Sequence, residues 1–293
     1  MIECLIFIVL ECLVGLVLTM TGISDKYPDF ISFIVLGAGT LWITKLFWKR
    51  TDKNNHFVIL LTGYILRIIF MLLNIYGREV IPIPNINSDC EGFFGVASLH
   101  YQNMEAPFYS YYPYIINTLF QFFGLNRVVA QYANTIVWAM GVFLLIRMCD
   151  RFALSDRAKT LVLFLIALWP NYILATMQLQ RESLIAFFNM LAFYYLIEWL
   201  ESRKNGWLII SFLAAIPAAM LHSASMAIWG ANAVVIAIWN QKKQKAAISI
   251  KTVVIIAVAL VGIILLFYSP LNALLFSYMR IDEISWKSIY EFY

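Results

Sequence analysis

Long apolar runs restrict the fold of this chain more than any other feature of its sequence. A helix of roughly 20 apolar residues spans the hydrocarbon core of a bilayer, and nine runs approach that length. They cover about residues 3–20, 30–48, 57–76, 127–147, 160–178, 183–200, 207–221, 225–240 and 250–268. We therefore predict an all-α, polytopic membrane helix bundle with about nine transmembrane helices.

The composition excludes other classes of protein. Of the 293 residues, 62% are hydrophobic and 13% are charged, whereas about half and about a quarter are typical of soluble domains. A disordered chain is excluded because disorder needs low hydrophobicity and high charge. The net charge of +4 comes without a basic stripe on a soluble face, so nucleic acid is not an expected partner.

Lysine and arginine are distributed unequally between the two ends of the predicted helices. Of the 21 basic residues, fourteen fall on one side, six on the other, and Arg67 lies within a span. Cytoplasmic loops of membrane proteins carry the excess of Lys and Arg. We therefore expect a multi-pass protein of the inner or plasma membrane, with its N-terminus in the cytoplasm and its C-terminus outside.

The longest polar segment, residues 77–126, is external in this topology. We expect its first part, 77–107, to be irregular because it contains Pro82 and Pro84. The aromatic stretch 107–125 is too short to span and is typical of a helix lying in the membrane interface. The predicted parts of the chain are two N-terminal helices in 1–56, a catalytic membrane core in 57–240, and a C-terminal helix with a short external tail in 241–293.

Several ionisable residues lie at the external edge of the predicted bundle, where each charge is costly and indicates function. Asp89 and Glu91 lie in the external loop, Arg181 and Glu182 begin the sixth span, and His222 ends the seventh. Packing of the helices as a bundle could bring them to one external cavity. A carboxylate, a cation and an imidazole suit proton abstraction from a sugar hydroxyl beside a phosphate leaving group.

Each of these residues also has a structural interpretation. Asp89 and Glu91 resemble the start of a short helix, Arg181 and Glu182 could form a structural pair, and His222 could be an interfacial histidine. We take Asp89 and Glu91 as the candidate catalytic residues. The candidate substrate-binding residues are Arg181, Glu182, His222, Tyr112 and Arg127. No set of metal ligands is predicted, and a divalent cation is the one cofactor left open.

Two further residues carry structural predictions. Arg67 lies in the middle of the third span, and a buried charge there is expected to pair with another, for which Glu11 is the candidate. Pro170 is expected to kink the fifth span.

The order of short motifs between Arg67 and about Trp229 resembles the membrane glycosyltransferases of the GT-C fold. It is closest to the family-39-like transferases, which include protein mannosyltransferases and the lipid A aminoarabinose transferase. The matching motifs are Asp89 with Phe93 or Phe94 and Ala97, Tyr111-Tyr112-Pro113 through Gly124, Arg127 to Asn134, Leu168-Trp169-Pro170, Arg181-Glu182-Ser183-Leu184, and His222-Ser223-Ala224.

The resemblance implies transfer of a sugar from a polyprenyl-phosphate carrier to a glycan, lipid or protein acceptor on the outer face, with inversion at the anomeric carbon. It implies that Asp89 is the general base, that Arg181 and His222 hold the lipid phosphate, and that grooves between helices hold the polyprenyl chain.

Three alternatives remain open. Arg181 followed about 40 residues later by His222-Ser223-Ala224 is similar to EpsG-type, Wzy-like polysaccharide polymerases, in which Arg181 and His222 would be central. A transporter of lipid-linked glycan could use the same charges to pass a phosphate, although no internal repeat typical of transporters is visible. A structural subunit of an envelope complex would bind no polyprenyl phosphate.

Overall fold

The computed structural model describes residues 27–77, 89–106, 110–202 and 204–222, together with residues 225, 230, 239–240 and 245–246. The chain divides into two compact units, Met1–Ile228 and Trp229–Tyr293. The helices of the first unit, numbered within the described residues, are α1 Tyr27–Arg50, α2 Asn54–Tyr76, α3 Asp89–Tyr101, α4 Tyr112–Phe123, α5 Arg127–Arg151, α6 Asp156–Leu168, α7 Pro170–Met177, α8 Glu182–Ser202 and α9 Asn205–Leu221.

The described helices are those of a multi-pass membrane protein. Four are long and apolar enough to cross a bilayer, namely Ile31–Arg50, Asn54–Tyr76, Arg127–Arg151 and Glu182–Ser202. A fifth span is formed if α6 and α7 are counted together, while α9 is a shorter apolar helix. The predicted helices over 30–48, 57–76, 127–147 and 183–200 are confirmed. The predicted spans 3–20 and 250–268 lie outside the described residues.

The predicted span 225–240 differs from the structure at its end. Its last two residues form strand β1, Trp239–Asn240, which pairs antiparallel with β2, Lys245–Ala246. Asn240 and Lys245 are polar and oppose each other in this pairing, so the apolar character of the predicted span ends here.

The kink predicted at Pro170 is confirmed as a break between α6 and α7, which meet at 50°. Proline has no N–H, so the carbonyl of Ile166 loses its helical partner. Arg67 occupies the break: Nη2 donates to Ile166 O at 3.3 Å and Nη1 donates to Ala167 O at 2.8 Å. Trp138 Nε1 also donates to Ile166 O, at 3.2 Å. The freed helix carbonyls are therefore satisfied inside the protein, as a membrane interior requires.

Arg67 is fully buried, and hydrogen bonds and an aromatic ring fix its guanidinium. Nε donates to Thr176 Oγ1 and Nη1 donates to Gly63 O, both at 2.8 Å, and the guanidinium lies 3.7 Å from the centre of the Trp138 ring. Gly63 permits this approach, because a Cβ there would lie 2.6 Å from Ala167 O. The predicted partner Glu11 lies outside the described residues. Among the described residues, the groups that stabilise the charge of Arg67 are backbone carbonyls, the Thr176 hydroxyl and the Trp138 ring, rather than a carboxylate.

One end of the bundle, here called the basic end, carries the turns near 50–54, 151–156 and 202–205. Ion pairs link these turns: Lys53 with Asp156 at 2.5 Å, Lys159 with Asp150 at 2.5 Å and with Asp52 at 3.3 Å, and Arg151 with Glu198 and Glu201. The turns brought together here are those that the distribution of Lys and Arg assigned to a single side of the membrane.

The opposite end carries α3 and α4, and here the prediction of an irregular segment over 77–107 is wrong for residues 89–101. These residues form α3 because Cys90, Phe93 and Ala97 recur at helical spacing and are buried. They pack against α4, whose Tyr112, Ile116 and Phe120 are buried while Phe122 is 77% exposed. The helix predicted within 107–125 is confirmed as α4, and α3 starts at the carboxylates that resembled a helix start.

Candidate functional site

The predicted site residues of the described chain lie at the end of the bundle that carries α3 and α4. Asp89 and Glu91 are in the first turn of α3, and Arg127 begins α5. Glu182 begins α8, with Arg181 directly before it, and His222 follows the last residue of α9. We call Asp89, Arg181, Glu182 and His222 the rim, because Arg181 lies next to Glu182 and interacts with His222, and Glu182 interacts with Asp89.

Arg181 connects α8 to α9. Its Nη1 donates to the carbonyl oxygen of Leu221 at 3.0 Å, next to His222, and its guanidinium lies 5.8 Å from the Phe93 ring. Burial lowers the pKa of His222, and the nearby positive charge of Arg181 lowers it further. The His222 imidazole is therefore neutral at neutral pH and would gain a proton most readily when an anion binds beside Arg181.

The two carboxylates of the rim interact with each other electrostatically. Glu182 lies close enough to both Asp89 and Arg181 to interact electrostatically with each of them. Glu182 Oε2 is buried and forms no hydrogen bond with the described residues. The rim thus holds an arginine, a neutral histidine and two carboxylates. The sequence predicted that these groups would share one cavity with Glu91, which instead pairs with Arg127.

Glu91 and Arg127 form a separate bidentate ion pair next to the rim. Arg127 Nη1 donates to Glu91 Oε2 at 2.9 Å and Nη2 donates to Oε1 at 2.7 Å, and the guanidinium lies 5.1 Å from the Phe94 ring. Both oxygens of Glu91 therefore accept from Arg127. This pair connects the start of α3 to the start of α5, which favours a positioning role over the predicted catalytic role of Glu91 and substrate-binding role of Arg127.

We expect the Glu91–Arg127 pair to stabilise the docking of α3 only modestly. The two side chains are 41% and 20% exposed, so solvent screens the attraction, and a coupling of about 1 kcal/mol or less is expected for such a pair. A double-mutant cycle with Glu91→Gln and Arg127→Met, followed by thermal unfolding in detergent, measures it. Coupling of several kcal/mol would contradict this estimate and indicate a pair that is dry in the folded protein.

Tyr112 lies beneath the rim and not on its surface. The residue is 2% exposed, its hydroxyl accepts from Asn134 Nδ2 at 2.8 Å, and its ring packs edge-on against Phe93. Burial raises the pKa of Tyr112 well above its usual range. The burial of Tyr112 therefore favours a structural role, in which it holds Phe93 and Asn134 in place, over the predicted contact with substrate.

The polar residues beneath the rim were not among the predicted site residues. Asn134 Nδ2 lies 2.5 Å from Gln178 O and 2.8 Å from Gln180 O, and the Cys90 thiol donates to Gln178 Oε1 at 3.3 Å. The signal was present in the sequence as Gln178 and Gln180, which alternate with apolar residues directly before Arg181. This polar run ends the apolar span and forms the extended turn between α7 and α8.

An apolar groove of about 350 Å³ lies beside the rim between α4, α8 and α9. It reaches Leu221, whose carbonyl oxygen binds Arg181. Three side chains that border it, Tyr111 before α4 and Tyr114 and Ile115 within α4, are about 40–45% exposed. The groove is lined by Tyr111, Tyr114, Ile115, Thr118, Phe188, Pro217, Met220 and Leu221.

Among the residues that the structure describes, no three His, Cys, Asp or Glu side chains are grouped in a way that could hold a metal ion. A divalent cation therefore stays a prediction without a site. Comparison of the chain with protein-family models, with curated proteins and with solved structures finds no match. The function is therefore argued from the geometry of the rim, the groove and the polar residues beneath them.

Proposed function

We propose that this protein is an integral-membrane glycosyltransferase that moves a sugar from a polyprenyl-phosphate-linked donor to an envelope glycan, lipid or protein acceptor on the outer face. The observation that carries the proposal is the rim itself. Asp89, Arg181, Glu182 and His222 come from three separate parts of the chain, yet they interact at one end of the bundle. A purely structural bundle gains nothing from two interacting carboxylates at this position.

The rim residues can divide the reaction between them. Arg181 and His222 bind the phosphate of the donor. The positive charge of Arg181 and a hydrogen bond from the His222 imidazole stabilise the phosphate as it leaves the anomeric carbon. Asp89 accepts the proton of the acceptor hydroxyl as its oxygen forms the new bond to that carbon. The C–O bond to phosphate breaks on the opposite face, so the configuration inverts, and Asp89 later releases its proton to the external solution.

The apolar groove supports a lipid-linked donor over a soluble one. A polyprenyl chain needs an apolar surface continuous with the site that holds its phosphate, and the groove ends at Leu221, next to Arg181 and His222. The side chains that line it carry no charge. A soluble nucleotide sugar would instead need a polar surface for its base and ribose.

The location of the site follows from the two ends of the bundle. Basic residues concentrate at the end opposite the rim, where Lys53, Lys159 and Arg151 form their ion pairs, and the positive-inside rule assigns that end to the cytoplasm. The rim then faces the outside of the inner or plasma membrane, and the N-terminus is cytoplasmic.

Two observations favour second candidates. The contact of Arg181 with the backbone next to His222 supports a Wzy-like polymerase equally well, since that reaction also needs a cation and a histidine at a lipid-linked phosphate. The break between α6 and α7 favours a transporter, because transporters use broken helices at their binding sites. Arg67 and Trp138 fill this break, so its carbonyls offer no open binding site.

Replacing Arg181 by Ala is expected to weaken binding of polyprenyl phosphate. A charge-assisted hydrogen bond contributes about 1.5–3 kcal/mol, so the affinity should fall by roughly tenfold to a hundredfold. Native mass spectrometry of the full chain in nanodiscs doped with polyprenyl phosphate measures the bound fraction directly. Dolichol-type alcohol without phosphate provides the uncharged probe and should bind equally to both proteins.

Arg157→Ala is the matched control, because Arg157 is an exposed arginine at the basic end. It should leave the bound fraction unchanged. Equal binding of polyprenyl phosphate by wild type and Arg181→Ala would mean that the rim does not bind the phosphate, and it would favour the structural-subunit alternative. A third outcome would favour the transporter. In it, Arg181→Ala loses binding, and the wild type moves labelled lipid across the bilayer without forming a new glycosidic bond.

A further inference from the structure

A second group of polar residues lies beneath the rim and takes no part in the proposed reaction. Asn134 contacts Tyr112 and the carbonyls of Gln178 and Gln180, while Cys90 bonds Gln178. Tyr112 and Cys90 both interact electrostatically with Glu182. These contacts join α3, α4, α5, α8 and the turn before α8 around one buried polar region.

Gln131 belongs to the same region by its position on α5. It lies four residues after Arg127 and three before Asn134, so the three side chains share one face of the helix. Arg127 contacts α3, and Asn134 contacts α4 and the turn before α8. Gln131 is therefore directed between these contacts, and Thr135 continues the same column one turn further into the bundle.

The polar atoms of this region are buried without enough protein partners. Gln131 is 0% exposed, and neither its Nε2 nor its Oε1 forms a hydrogen bond with the described residues. The same holds for Thr135 Oγ1, Ser183 Oγ and Glu182 Oε2. A buried polar atom that forms no hydrogen bond destabilises the fold. Five such atoms lie near the starts of α5 and α8, which Asn134 links through the turn before α8. They indicate bound molecules that can both donate and accept hydrogen bonds.

We propose that the region bounded by Gln131, Ser183 and Glu182 is a binding site for a cluster of ordered water molecules. Water fits because the region offers an amide that needs one donor and one acceptor, hydroxyls that can do either, and a carboxylate oxygen that needs a donor. Internal waters with about three such partners are an ordinary part of protein structure. This hydration does not depend on the sugar-transfer proposal.

The water cluster has a consequence for Glu182. Its buried oxygen would be solvated, so the carboxylate can exchange protons with the other rim residues in spite of its burial. Deeper in the bundle, Arg67, Trp138 and the end of α6 are tightly bonded to one another. Within the part of the chain that the structure describes, the hydrated site therefore ends inside the protein.

X-ray radiolytic footprinting of the full chain in nanodiscs tests the site, because hydroxyl radicals formed from bound water oxidise the side chains next to it. Tyr112 is 2% exposed and Tyr64 is 1% exposed, yet only Tyr112 adjoins the proposed waters. Tyr64 bonds Thr40 and Tyr132 instead. We expect Tyr112 to be oxidised several-fold faster than Tyr64, and Cys90 faster than the buried Cys149.

Gln131→Leu removes the amide that faces the waters, and we expect it to slow oxidation of Tyr112 towards the rate of Tyr64. Tyr64 also reports on the fold, since its oxidation would rise if the variant unfolded. If Gln131→Leu unfolds, the comparison of Tyr112 with Tyr64 in the wild type still tests the proposal. Equal oxidation of Tyr112 and Tyr64 in the wild type would overturn the proposal, and so would a folded Gln131→Leu protein in which Tyr112 stays as reactive as before.

Discussion

Asp89→Asn is expected to lower the rate of sugar transfer by roughly 10²–10⁴-fold, the contribution of a positioned general base. The amide keeps the size of the carboxylate and its place in the first turn of α3, but it cannot accept the proton of the acceptor hydroxyl. The measurement is transfer of labelled sugar from polyprenyl phosphate to the membrane fraction of cells that produce the protein.

Glu105→Gln is the matched control for this substitution. Glu105 is an exposed carboxylate in the turn that follows α3, so its loss should leave transfer unchanged. Asp89→Asn should also retain binding of polyprenyl phosphate, since Arg181 and His222 are intact. Full transfer by Asp89→Asn would remove Asp89 from the reaction, and Glu182→Gln would then be the variant to measure, because Glu182 is the other carboxylate of the rim.

Arg67→Met is expected to have the largest effect on stability, a loss of about 2–5 kcal/mol. Methionine fills much of the volume, but the carbonyl of Ala167 loses the donor from Arg67, and the carbonyl of Ile166 keeps only the donor from Trp138 Nε1. Each unsatisfied carbonyl costs about 1–3 kcal/mol, while polar contacts within membranes average less. Unfolding in mixed micelles of increasing dodecyl sulfate content measures the change.

Arg67→Lys separates geometry from charge in the same experiment. Lysine keeps the positive charge but has one nitrogen, so it cannot reach Thr176, Gly63 and Ala167 together as the planar guanidinium does. We expect it to recover only part of the lost stability. Arg157→Met, at an exposed arginine of the basic end, should have little effect. Wild-type stability in Arg67→Met would mean that the break between α6 and α7 satisfies its own carbonyls.

The sequence predicted the helices that are long and apolar enough to cross a bilayer. The runs over 30–48, 57–76, 127–147 and 183–200 became α1, α2, α5 and α8, because the length and apolarity of a span are properties of a single segment. The break at Pro170 was equally predictable, since a proline removes one backbone donor wherever it occurs in a helix.

Helix α3 was predicted only as an alternative interpretation of Asp89 and Glu91, because it is short and its composition is mixed. Its 13 residues include two carboxylates and two glycines, so local propensity is weak and the preceding prolines favour an irregular interpretation. Contacts with α4 decide its conformation, since Phe93 and Ala97 are buried only when both helices are in place. Helices this short depend on tertiary packing.

What the sequence determined by itself is therefore the solvent of this protein, the spans of its long helices and the charged residues that needed explanation. Which of those charges meet was decided only by the tertiary structure. Glu91 pairs with Arg127, Arg181 donates to a carbonyl at the end of α9, and Arg67 donates to the carbonyls at the break between α6 and α7. Each partner lies 36 to 100 residues away along the chain, and side-chain contacts at such separations are set by how the helices pack.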